Sequence, residues 1–193
     1  MDDSAILAAA VRVMGRTGPA RLTLALIAAE VGLVPGTLVQ RFGSKRGLLL
    51  ALSEASLRAS ERGCAEIRAA HDTPLDALAA LVADTMGAVT TPEEYANHLA
   101  FLCADLGDEE FRALALAFHQ VQDRAVRALV DDAVASGGLR PETEVATLAA
   151  TVQAAVAGAG LLWAIDRRGT FAARRREALD AVLAPHLARR TVL

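Results

Sequence analysis

Cysteine and aromatic side chains are scarce in this 193-residue chain, which has two cysteines, five phenylalanines, one tyrosine and one tryptophan. Cys64 and Cys103 cannot make a disulfide framework, and neither stands in a CxxC pair or beside other ligands at metal-binding spacing. A reducing, cytoplasmic setting is therefore expected, with no metal and no cofactor. There is also no phosphate-cradling glycine loop, no nucleophile elbow and no HExxH signature, so no enzyme is expected. The opening MDDSAILAAAVRVMGR is acidic and lacks the basic start and apolar core of a secretion signal. What abounds instead is alanine, at 43 positions. Alanine is the best helix former, whereas strands favour β-branched and aromatic residues, so the composition predicts an all-α protein.

The formal net charge of −3 argues against a polyanionic partner until it is divided along the chain. Residues 1–50 hold six basic side chains (Arg12, Arg16, Arg21, Arg41, Lys45, Arg46) against Asp2, Asp3 and Glu30, a net +3. The remaining 143 residues hold 14 basic and 20 acidic side chains, a net −6. A basic N-terminal module on an acidic body is a partner signal that the sum conceals. Residues 145–165 form a run of 21 without a charge, long enough to span a bilayer. Its abundance of Ala, Gly and Thr drives insertion weakly and favours a buried packing helix. The small residues Ala157 to Gly160 would let another helix approach closely.

Turn and cap signals divide the chain into about nine helices with no internal repeat. Helical apolar spacing runs through residues 4–15, and Thr23 can cap a short helix that stops at Gly32. Pro35 opens a second short helix through Phe42, and Ser44 can cap a third that continues toward Ala70. Thr73-Pro74 and Thr91-Pro92-Glu93-Glu94 start two more, the latter with a capping box. Asp108 opens a long helix to Val134, Pro141 to Thr143 begins the uncharged one, and Thr170 caps the last. A three-helix head (1–50) on a larger helical body (51–193) is the expected domain organisation.

The head carries the informative pattern. Two short helices joined by a brief turn containing Gly32 have the layout of a helix-turn-helix. Ala28 stands where the helices would cross, and Leu38 and Phe42, four residues apart, mark the inward face of the second helix. Gly36 and Gln40 lie opposite, with Thr37 and Val39 on the flanks and Arg41 nearer the core edge. Gln40 can bond an adenine edge, Thr37 a base or phosphate, and Val39 can pack on a thymine methyl. Backbone amides after Pro35 and at Ser44-Lys45 can take phosphates, and Thr23 and Ser44 are caps that can also reach them. Lys45, the only lysine, sits at a helix N-terminus against the dipole, a placement that a docked phosphate would explain. Two short helices around a glycine also occur in proteins that never touch DNA, so a helical ligand-binding or enzymatic protein with a purely structural head is the alternative.

Ile6 through Leu52 resembles the N-terminal domain of TetR-family transcriptional regulators. The matching residues are Ile6-Leu7-Ala8-Ala9-Ala10, Gly18, Leu22-Thr23, Ile27-Ala28, Val31-Gly32, Gly36-Thr37-Leu38, Phe42, Ser44-Lys45 and Leu48-Leu49. The family often has serine where Val34 stands, an aromatic where Val39 stands, and Glu or Ala where Arg46-Gly47 stands. The resemblance implies a one-component regulator of double-stranded DNA, and a repressor released by a small, largely apolar effector is expected. It implies a homodimer through the last two helices. An uncharged helix of this length is hard to bury in one small chain, so Gly158, Leu161, Leu162 and Ile165 are the expected dimer contacts. It implies a ligand cavity among the middle helices, with Met86, Tyr95, His98, Phe101, Leu102, Phe118, His119, Gln122 and Trp163 as candidate lining. No membrane association is expected.

Overall fold

The computed structural model describes residues 2–84, 86 and 89–188. Among the described residues there are nine α-helices and no strand. They are α1 (Asp3–Thr17), α2 (Leu24–Glu30), α3 (Pro35–Phe42), α4 (Lys45–Ala70), α5 (Pro74–Asp84), α6 (Pro92–Asp105), α7 (Glu109–Ala135), α8 (Val145–Asp166) and α9 (Phe171–Leu183). The starts follow the cap signals. Thr23 Oγ1 accepts the Leu26 amide at 3.2 Å, Ser44 Oγ the Gly47 amide at 3.0 Å, and Thr170 Oγ1 the Ala173 amide at 3.2 Å. Thr91 and Glu94 exchange reciprocal bonds, each 3.2 Å, as a capping box. Two starts differ from expectation. Asp2 caps α1, accepting the Ala5 amide, so that helix begins one residue earlier than its apolar pattern. Helix α8 begins at Val145, because Thr143 is still held in a turn by its amide bond to the Arg140 carbonyl.

The chain forms two compact units, Met1–Ala59 with Thr91–Phe118, and Ser60–Thr90 with His119–Leu193. In the first, α1, α2, α3 and the start of α4 enclose Ile6, Ala9, Ala10, Leu22, Ile27, Ala28, Leu38 and Leu48, all fully buried. Helix α6 packs on α1, and Phe111 of α7 joins the same core, meeting Phe101 edge-on with ring centroids 6.2 Å apart. A polar contact reinforces it, as Asn97 Nδ2 donates to the Gly15 carbonyl at 2.6 Å.

In the second unit, Leu78, Leu81, Val130, Leu139, Leu148, Val152 and Leu179 centre a core to which α5, α7, α8 and α9 contribute. Helix α8 packs along α9 and buries Leu148, Ala149, Val152, Val156, Ala159, Gly160 and Trp163. Its opposite side is uncharged and open: Thr147, Thr151, Ala154, Leu161, Leu162 and Ile165 are exposed, Ile165 by 70%. Among the described residues, α8 is the one helix that by length and composition is apolar enough to cross a membrane, with 33% of its apolar window buried. The expected packing helix is thus buried along one side within the chain.

Candidate nucleic-acid interface

Helices α2 and α3 diverge by 112° across Val31-Gly32-Leu33-Val34, within the range of a helix-turn-helix. Gly32 takes φ +67°, a left-handed conformation that L side chains disfavour. The Leu33 amide bonds back to the Ala28 carbonyl at 2.9 Å, tying the turn to the crossing point, where Ala28 is fully buried. Leu38 is buried and Phe42 half-buried against the core, which turns the other side of α3 outward. There Pro35, Gly36, Val39, Gln40 and Arg41 are exposed and Thr37 is half-buried. Val34 makes no side-chain cap, so Pro35 at the first helical position and the free amides behind it form the α3 start.

Thr23, Ser44 and Lys45 lie at the starts of α2 and α4, with Thr23 and Ser44 engaged as caps. The α3–α4 junction is tight. The Ser44 amide bonds the Phe42 carbonyl at 2.8 Å, and that oxygen would lie 2.1 Å from a Cβ built on Gly47. A Cβ does not fit this approach without a backbone shift, which accounts for glycine at position 47.

The cations of the head are held by partners that sequence spacing does not reveal. Lys45 Nζ donates to the Pro19 carbonyl at 2.8 Å, and Arg21 Nε to the Thr17 carbonyl at 2.9 Å. Arg12 and Arg16 converge on Glu30 at 3.3 and 2.6 Å. These guanidiniums, Arg16 foremost, hold the Glu30 carboxyl below its ordinary value. Arg41 Nη1 lies 2.9 Å from Asp3 Oδ1. Arg46 reaches across 62 and 64 positions to Asp108 and Glu110, each at 2.9 Å, and covers the Phe111 ring at 5.4 Å. Bonding to Asp108 raises the Arg46 pKa, and the same pair lowers that of Asp108. Residues 1–59 and 91–118 together carry eight basic and ten acidic side chains, so the +3 of residues 1–50 does not extend over the compact unit. At α3 and the α4 start, Arg41 and Arg46 are paired with carboxylates.

The residues considered for a ligand fall in both units. Tyr95, His98, Phe101, Leu102 and Phe118 belong to the first unit; Met86, His119, Gln122 and Trp163 belong to the second. Tyr95 is buried, Phe101 packs on Phe111, and burial lowers the His98 pKa. Trp163 is buried on Phe171, centroids 5.2 Å apart, and donates its indole N–H to the Gly169 carbonyl at 3.2 Å. Gln122 donates to Ser60 Oγ at 2.7 Å, whereas Met86, Leu102 and His119 are exposed. Two clefts of the second unit lie elsewhere. One of about 500 Å³ is lined by Ala70, His71, Asp72, Asp76 and Arg176 among others, and one of about 190 Å³ by Thr147, Leu148, Thr151, Val182 and Pro185 among others. Leu161, Leu162 and Ile165 lie on the open side of α8, and Gly158 is half-buried. No group of metal-binding side chains occurs among the described residues.

Residues 6–52 match the family model of the bacterial regulatory proteins, tetR family. No curated protein matches the chain in sequence. Solved structures share its fold over nearly the whole length. A TetR transcription regulator of Haloarcula marismortui superposes with TM-score 0.79 at 15% identity, covering 96% of this chain and 97% of its own. A transcriptional regulator of Saccharomonospora viridis, solved with choline, gives 0.78 at 20% identity, over 97% and 98%. SmeT, the repressor of the Stenotrophomonas maltophilia multidrug efflux pump SmeDEF, gives 0.68 at 20%, over 100% and 93%. The head, with its turn, buried crossing point and outward α3, thus matches the tetR-family model over residues 6–52, and the whole chain shares the fold of these solved regulators.

Proposed function

We propose that the protein is a homodimeric, sequence-specific DNA-binding transcriptional regulator, a repressor released by a small, largely apolar effector. The outward face of α3 in a helix-turn-helix that matches the tetR family carries this reading. Residues 1–50 are the DNA-binding domain and residues 51–193 the ligand-binding and dimerisation domain. Thr37, Gln40 and Arg41 address base edges, and Val39 a thymine methyl. Thr23, Ser44, Lys45 and the backbone amides that follow Pro35 address phosphates. An ammonium has three donors, so the Lys45 bond to Pro19 is compatible with a phosphate contact.

The uncharged open side of α8 supports self-association, because Leu161, Leu162 and Ile165 are 45%, 55% and 70% exposed on one element. Gly158 on the same helix gives a partner helix room for close approach. A second copy, rather than a bilayer, covers that side, and the protein acts in the cytoplasm. The dimer reads two half-sites about one helical turn, or a multiple of it, apart. SmeT is a repressor and the Saccharomonospora viridis protein holds choline, which supports release by an effector bound in the body. Tyr95, His98, Phe101, Leu102, Phe118, Met86, His119, Gln122 and Trp163 are the positions to test for it. The deciding experiment is a gel-shift titration with the DNA upstream of the coding sequence. Selective binding weakened by a cell-extract ligand fraction is expected, and no binding at low salt overturns the reading.

A further inference from the structure

The chain opens with two carboxylates beside a head that would meet a polyanion. Asp2 has a structural task, since its Oδ1 accepts the Ala5 amide at 3.0 Å and caps α1. Asp3 instead reaches across 38 positions to Arg41, with Oδ1 2.9 Å from Nη1. Both side chains are exposed, so the pair contributes little to stability. Its effect lies in the placement of Arg41, the one cation on α3. Arg41 stands one turn after Thr37 on the same flank and next to Gln40, at the edge of the outward face.

A guanidinium reads guanine through paired bonds to O6 and N7, but a side chain this long loses much rotamer freedom when it docks. A carboxylate holding Nη1 restricts that freedom before DNA arrives, and preorganisation of this kind raises discrimination without adding a contact to the base. We propose that Asp3 is a positioning residue that presents Arg41 to a guanine at the flank of the α3 footprint. The proposal rests on the DNA-binding reading and adds a specificity determinant outside the helix-turn-helix. Asp3 itself makes no attractive contact with phosphate, because its charge is of the wrong sign.

The test is selection from a randomised duplex library with full-length wild type, Asp3→Ala, Asp3→Glu, Arg41→Ala and the double variant. Affinities for the selected duplex, its single-base substitutions and random-sequence duplex follow. Asp3→Ala should lose about tenfold preference for guanine at one position per half-site and keep or gain affinity for random DNA. Asp3→Glu should restore the preference, and Asp3→Ala should have no further effect in the Arg41→Ala background. Thermal unfolding followed by circular dichroism checks that the variants stay folded. A uniform rise in affinity for all duplexes, additive with Arg41→Ala, overturns the proposal and leaves Asp3 a simple repulsive charge. Wild type that selects no sequence overturns the DNA-binding reading itself, a distinguishable result.

Discussion

Two glycines of α4 separate steric fit from helix propensity at the level of single residues. A Cβ on Gly47 would lie 2.1 Å from the Phe42 carbonyl oxygen, a backbone atom that cannot move without displacing α3. Gly47→Ala should destabilise by about 1–3 kcal/mol, read as a lower urea midpoint. At Gly63, within the same helix, the nearest atom to a Cβ is 4.0 Å away. Gly63→Ala should therefore stabilise by about 0.5–1 kcal/mol, the helix propensity difference. Opposite signs in one helix are the expected outcome, and equal signs would deny the close approach. The interface residues separate in the same manner. Gln40→Ala should cost about 1–3 kcal/mol at selected base pairs only, whereas Lys45→Ala should weaken all sequences and reduce the salt slope by about 1. Binding titrations at several salt concentrations measure both, and identical profiles for the two variants would refute this division.

Pairs of elements are joined by contacts whose dependence on pH has a definite sign. Arg46 at the α4 start and Asp108 at the α7 start form one such joint, with Glu110 as a second acceptor. Arg46 depresses the Asp108 carboxyl in the folded state, so the unfolded chain binds the proton more tightly. The resulting stabilisation is present above the ordinary carboxylate range and is lost as pH falls through the depressed native value. Asp108 also accepts the amides of Glu110 and Phe111, a cap that asparagine can retain. Asp108→Asn should accordingly lower stability near neutral pH and flatten its decline below about pH 5, as measured by denaturation across pH. An unchanged slope would show that the joint contributes nothing.

The proposed function couples dimerisation to DNA affinity at the scale of the whole molecule. Ile165→Arg places a charge on the most exposed large apolar residue of α8, away from its packing on α9. Sedimentation should then show a monomer with unchanged helix content. Affinity for a two-half-site duplex should fall at least about 100-fold as avidity is lost, while affinity for a single half-site stays near wild type. A dimer that persists would place the seam elsewhere. The charge distribution also belongs to this scale. The excess of cations in residues 1–50 is a linear count, and folding brings Asp108 and Glu110 against Arg46 within it.

The order and type of the helices were legible in sequence because caps, prolines and glycines act locally. Thr23, Ser44, Thr91 and Thr170 begin helices through bonds spanning three residues, Pro35 acts through its fixed φ, and the turn at Gly32 is equally local. The outward side of α3 followed as well, since Leu38 and Phe42 fix its rotation. What the sequence by itself determined was thus an all-α chain with a helix-turn-helix at its start. Only the tertiary structure decided the partners of the cations, because Asp3 and Arg41, Pro19 and Lys45, and Arg46 and Asp108 are too far apart for any periodicity to link them. It also decided the contacts of positions considered for a ligand, such as Trp163 against Phe171, since size and polarity do not reveal what a side chain packs on. On α8 the same limit applied: composition showed a helix free of charge, and its packing along α9 decided which side remained open.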